Sequence, residues 1–220
     1  MAKKTEKTEK VNINELLNDF FQKNRKVLLI SLAGVIGAVV ILVTIFTIRD
    51  HLHSQALSRI EEFNRRYEAM WNEDAYVFLE ELNQFAVRNS GFVAARAYAI
   101  SANIYEDLDA WAEAERAWVN AARAGAETYF APVAFFNAAV AAEEQGNIDR
   151  AIELYYEALE YDRIFPSAPR AQFSIGRLQE SQGNRAYAII SYMTLVSRWP
   201  QDQVWASLAN SRILSLSVEQ

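Results

Sequence analysis

EEQGNIDRAIELYYEAL, Glu143 to Leu159, returns as ESQGNRAYAIISYMTLV, Glu180 to Val196, with its turn, alanine and tyrosine displaced by 37 residues. The period extends backwards as well. Ala114, Ala151 and Ala188 share one register, Trp118, Tyr155 and Tyr192 a second, and Ala121, Ala158 and Leu195 a third. On the preceding segment Tyr98 corresponds to Phe135, and Ala102 to Ala139 and Gly176. Asp109, Gly146 and Gly183 mark the turns, and Pro132 and Pro169 open the second and third units. Each position has a physical role. Small residues let two helices of a hairpin approach, the aromatic fills the space beside them, and a glycine ends the first helix in the left-handed conformation.

One such hairpin cannot bury its apolar face, so copies stack until they share a core. The order of aromatic and small residues on the first helix, small and aromatic on the second, then Ala121 or Ala158 and finally Pro200, resembles the tetratricopeptide repeat. The resemblance implies an all-α fold, a tetratricopeptide-repeat superhelix of helical hairpins. The unit is longer than the usual repeat of about 34 residues, so connections such as IFPSAP, Ile164 to Pro169, should be extended. Three repeats are expected over residues 95–205, a stalk and degenerate hairpin over 49–94, and a closing helix within 206–220, with its apolar pattern running from Val204 to Leu216.

Ahead of the repeats, Val27 to Ile48 reads VLLISLAGVIGAVVILVTIFTI, with no charged residue. At about 1.5 Å per residue this run spans a hydrocarbon core of about 30 Å, and it exceeds the roughly 7–15 apolar residues of a signal peptide. Residues 27–48 are therefore expected to be an uncleaved transmembrane helix in contact with the lipid bilayer. The chain has no cysteine to lipidate. All six lysines (Lys3, Lys4, Lys7, Lys10, Lys23, Lys26) and Arg25 precede the run, against Glu6, Glu9, Glu15 and Asp19. Beyond it, arginines are outnumbered by acids. This asymmetry places the tail, 1–26, in the cytoplasm and the large acidic part across the membrane. The lack of cysteine suits an oxidising compartment served by a core rather than by disulfides.

Within the tail, Ile13, Leu16, Leu17, Phe20 and Phe21 gather on one helical face, and Asn12 with Glu15 forms a capping box. That face either lies on the inner leaflet or docks a membrane partner, or simply leads into the anchor. In the anchor, Ala33 with Gly37 and Gly34 with Ala38 would admit a second helix. After it, Leu52, Ala56, Ile60, Phe63 and Tyr67 keep a near-heptad spacing. They are expected to pack on a helix from about Tyr76 to Arg88 through Phe78, Leu82 and Phe85.

No catalytic triad, metal cluster or phosphate loop can be assembled, so neither an enzyme nor a cofactor is expected. His51 and His53 lack further ligands and read as interfacial polar residues. Glu143–Glu144 and Glu61–Glu62 are neighbours in sequence, do not share a helix face, and read as solvated. Nucleic acid is disfavoured by the acidic large domain. A protein or extended peptide remains. In tetratricopeptide domains the first helices line the concave groove, which by position would offer Arg96, Asn103, Val133, Phe136, Val140, Arg170, Phe173 and Arg177. Phe and Val among guanidinium groups suit an extended segment with apolar and acidic residues. The alternative is that Phe136 and Phe173 fill the superhelix.

NDFFQKNRKVLLISLAGVIGAVVI, followed by stalk, repeats and a closing helix, resembles the YfgM-like family, an ancillary subunit of the bacterial SecYEG translocon. FPSAPRAQFSIG and RWP are also similar to periplasmic tetratricopeptide proteins of outer-membrane assembly and cell-division coordination. The first resemblance implies a single-pass inner-membrane protein with a periplasmic repeat domain. It would act beside SecYEG and periplasmic chaperones on secreted or envelope proteins. The second implies a structural adaptor with one fixed partner.

Overall fold

The computed structural model describes residues 13–69, 74–161 and 165–218. Asn12 of the capping box, the side chains of Ile13, Glu15 and Leu16, and Ile164 of the extended connection lie outside what is described. The described residues are helical and form two compact units, Met1–Gln55 and Ala56–Gln220.

In the first unit the backbone is a single helix, part of α1 (Ile13–Glu68). It buries none of its described apolar side chains: Leu17, Phe20 and Phe21, then the large apolar residues from Val27 to Ile48 apart from the half-buried Leu28, are exposed. The helix is long and apolar enough to cross a membrane. The hydroxyls of Thr44 and Thr47 donate back to the carbonyls of Val40 and Val43, at 2.8 and 2.9 Å. Their polar groups are thus satisfied within the helix, as a segment in hydrocarbon requires. His51 Nε2 lies 2.9 Å from Gln55 Nε2, one turn on.

The second unit begins with the last turns of α1 and continues through α2 (Ala75–Arg88), α3 (Gly91–Asp107) and α4 (Trp111–Ala124). It then runs through α5 (Phe130–Glu144), α6 (Ile148–Tyr161), α7 (Ala168–Ser181), α8 (Arg185–Arg198) and α9 (Gln203–Val218). Pairs α3/α4, α5/α6 and α7/α8 are the three hairpins, and each following first helix packs on the preceding second helix. Ile60 and Phe63 pack with Phe78, Leu82 and Phe85 as the near-heptad spacing anticipates, Phe63 meeting the Phe85 ring edge-on at 5.1 Å. Leu52, by contrast, is exposed.

The repeat register accounts for the hairpin geometry. Asp109, Gly146 and Gly183 have φ of 55°, 72° and 76°, the left-handed conformation that ends a helix. Ala114, Ala151 and Ala188 are fully buried, as are Ala102 and Ala139. At the sixth equivalent site, Gly176, a Cβ would lie 2.6 Å from the Tyr192 ring, so the aromatic has taken up the volume a side chain would occupy.

Candidate functional site

The eight residues assigned by position to the inner face divide into three groups. Arg170 and Arg177 are exposed, and Arg96, Asn103, Val133, Val140 and Phe173 are half-buried. Phe136 departs from the expectation that it is offered to a ligand. It is 5 % exposed, with its ring 5.4 Å from that of Tyr155 and 6.3 Å from that of Phe165. It fills the core between α5, α6 and the segment that leads into α7. Phe173 keeps an accessible edge while its ring stands 5.3 Å from both Tyr192 and Trp205.

The arginines are held in place by what they touch. Arg96 lies 5.8 Å from the Phe130 centroid and reaches Asn64 Oδ1 at 3.4 Å. Arg170 sits over Phe136, 5.2 Å from its centroid, an arrangement in which the ring face attracts the cation while one side stays open to solvent. Arg177, exposed as expected by position, is paired with Glu143 of the previous first helix.

That pair exposes a feature that reading the carboxylates as solvated overlooks. Glu143 is not solvated: its side chain is 18 % exposed and also accepts the Tyr155 hydroxyl at 2.6 Å. One unit later Glu180 accepts the Tyr192 hydroxyl at 3.0 Å and pairs with Arg212 of α9. One unit earlier Glu106 accepts the indole N–H of Trp118 at 2.6 Å. Each glutamate stands twelve residues before its aromatic and 37 from the next glutamate, a signal present in the sequence alongside the alanines. The consequences for proton affinity follow the contacts. Burial first, then the hydrogen bond to a carboxylate, pushes the Tyr155 and Tyr192 hydroxyls well above the usual phenol range. Burial also raises the Glu106 carboxyl against the opposing pull of Trp118, with Asp107 adding to the rise.

A carboxylate held by a phenol or indole on one side and a guanidinium on the other is a fastening between helices. No group of three or more metal-ligating side chains stands together among the described residues.

Residues 133–165, α5 through the end of the second hairpin, match the family model for the tetratricopeptide repeat. The chain is 38 % identical over 146 residues to a TPR repeat-containing protein of Treponema pallidum (strain Nichols), a match that covers 66 % of this chain. The match spans 60 % of that relative's length. Among solved structures it is similar to a putative kinesin light chain of Podosopora anserina with nearly identical TPR-like repeats. There the TM-score is 0.53 with 14 % identity, over 74 % of this chain and 85 % of that one. It is also similar to the MamA protein, with a TM-score of 0.49 and 21 % identity over 66 % and 77 % of the two chains. The fold is all-α and built of stacked hairpins like those of its TPR-like structural neighbour, residues 133–165 match the tetratricopeptide repeat, and the N-terminal helix is long and apolar enough to cross a membrane.

Proposed function

We propose that this chain is a membrane-anchored scaffold whose repeats hold proteins or extended peptides on the face of their first helices. It works without catalysis or a cofactor. The observation that carries the reading is the combination on that face of Phe173 with an accessible edge and Arg170 with no carboxylate partner among the described residues. An apolar residue of a ligand would cover the ring, and an acidic one would meet the guanidinium. Residues 27–48 would hold this face at the membrane, raising its effective concentration toward chains that emerge there.

The resemblance in FFQKNRK and the anchor, with the lysines confined to residues 1–26, supports the finer assignment. In it the anchor lies in a bacterial inner membrane, the tail is cytoplasmic and the repeats are periplasmic. The chain then serves SecYEG and periplasmic chaperones in receiving secreted or envelope proteins.

Photo-crosslinking in cells from position 173, with position 136 as the buried control, tests the binding face. Capture at 173 of many secreted chains is expected, and little at 136. Capture of one stoichiometric partner would replace client handling by a fixed adaptor. Orientation is tested by protease added to spheroplasts, where digestion of everything after about residue 50 is expected from the lysine asymmetry. A protected repeat domain would reverse it.

A further inference from the structure

The glutamate fastenings follow one plan in the second and third units, and the first is incomplete. Glu143 receives Tyr155 and, from the next first helix, Arg177. Glu180 receives Tyr192 and Arg212. Glu106 receives Trp118 alone among the described residues. The residue 37 positions before Arg177 is Val140, which brings no donor. Glu106 forms no ion pair among the described residues, and the charge that bears on it is that of Asp107, which itself accepts the Tyr67 hydroxyl at 2.8 Å.

A carboxylate offers about four lone-pair positions, and an indole fills one of them. Glu106 is half-buried, so water replaces a missing partner poorly. Asn103 lies one turn earlier on α3, and the half-buried Val140 holds the register position of the missing arginine. The protein has kept the acceptor and its aromatic donor while withholding the cation that closes the same site twice elsewhere. The electrostatic gap is one positive charge.

We infer that the open fastening at Glu106 is a subsite for a basic side chain of the bound segment. An arginine of the ligand takes at Glu106 the place that Arg177 takes at Glu143. Arginine fits better than lysine because its planar fork can satisfy both carboxylate oxygens, and Val140 offers its stem an apolar surface. The inference rests on the proposed binding of extended segments to this face and gives that face a residue-level preference.

The test uses the full chain in lipid nanodiscs and a synthetic array of extended peptides in matched sets. One position carries arginine, its neutral isostere citrulline, or norleucine. Wild type should retain arginine peptides over their citrulline counterparts by about tenfold or more, the scale of a charge-assisted hydrogen bond. Glu106→Gln keeps an acceptor for Trp118 and removes the charge. Val140→Arg supplies the guanidinium from within and leaves Glu106 intact. Both should bring the arginine-to-citrulline ratio to about one. If Glu106→Gln fails to fold, Val140→Arg decides alone. Equal retention of arginine and citrulline by wild type overturns the subsite but not the binding face, and so does an unchanged ratio in the variants. Retention of no peptide at all overturns both.

Discussion

Two regions of this molecule are rich in apolar side chains and treat them in opposite ways. From Val27 to Ile48 the valines, isoleucines and leucines, Leu28 apart, stand exposed around the helix, and Cβ atoms added at Gly34 and Gly37 would meet nothing within 4 Å. In the repeats, residues of the same kinds are closed against one another, down to Gly176, where no Cβ fits. The arrangement, rather than the hydrophobicity, differs. A run without interruption presents apolar surface on every side, which water cannot solvate cheaply and a bilayer can. A run broken every third or fourth residue presents one stripe, which a neighbouring helix can cover.

The largest effect expected to break this contrast comes from placing charge in the exposed run. Val39→Arg with Leu42→Arg should cost about 2.5–3.5 kcal/mol for each arginine near the bilayer centre. The protein should move from the carbonate-resistant membrane fraction to the soluble one, with the repeat domain's melting temperature unchanged. Retention in the membrane would show that another segment anchors the chain.

Next in size is Phe136→Ala, which empties a closed site and should cost about 3–5 kcal/mol in chemical denaturation. Phe173→Ala, with one edge already open, should cost clearly less and instead reduce peptide retention. Equal costs would mean that the two rings share one environment. Smaller again is a paired test of packing. Gly176→Ala drives a methyl into the Tyr192 ring and should destabilise the domain by about 1–3 kcal/mol, whereas Gly37→Ala, with open space around it, should leave the domain's melting temperature where it was. A neutral Gly176→Ala would mean that α7 and α8 part more easily than their contact implies.

The smallest effect is one of pH. Burial, and then the hydrogen bond to Asp107, pushes the Tyr67 hydroxyl up to about 12. Its protonated form is thus favoured in the folded state. The stability it contributes is complete below its ordinary value of about 10 and is lost as pH rises through its raised value. Denaturation midpoints should be level up to about pH 10 and fall between there and 12, and Tyr67→Phe should flatten part of that fall. An identical slope in the variant would assign the alkaline loss to Tyr155 and Tyr192, whose hydroxyls are raised further in the same direction.

Local rules made much of the fold legible. Glycine or aspartate at 109, 146 and 183 marks the left-handed turn wherever it occurs, and proline at 132 and 169 marks a helix beginning. The candidate face was legible only in part. Position along a first helix is enough to place Arg170 and Phe173 on the accessible side. It says nothing of how far the neighbouring hairpin closes over Phe136, because that depends on Phe165 and Tyr155 arriving from other parts of the chain.

By itself, then, the sequence determined the repeat period, the class of helical array and the uncharged run, since each rests on interactions within a few residues. Only the tertiary structure decided which carboxylates are fastenings and which are solvated. Glu143 and Glu144 are alike as neighbours in a helix, yet only Glu143 stands where α6 brings Tyr155 and α7 brings Arg177. The same packing left Glu106 with its indole and no cation among the described residues. Charge pairing between stacked helices is set by their spacing and rotation, and those are fixed by the core that the whole array builds together.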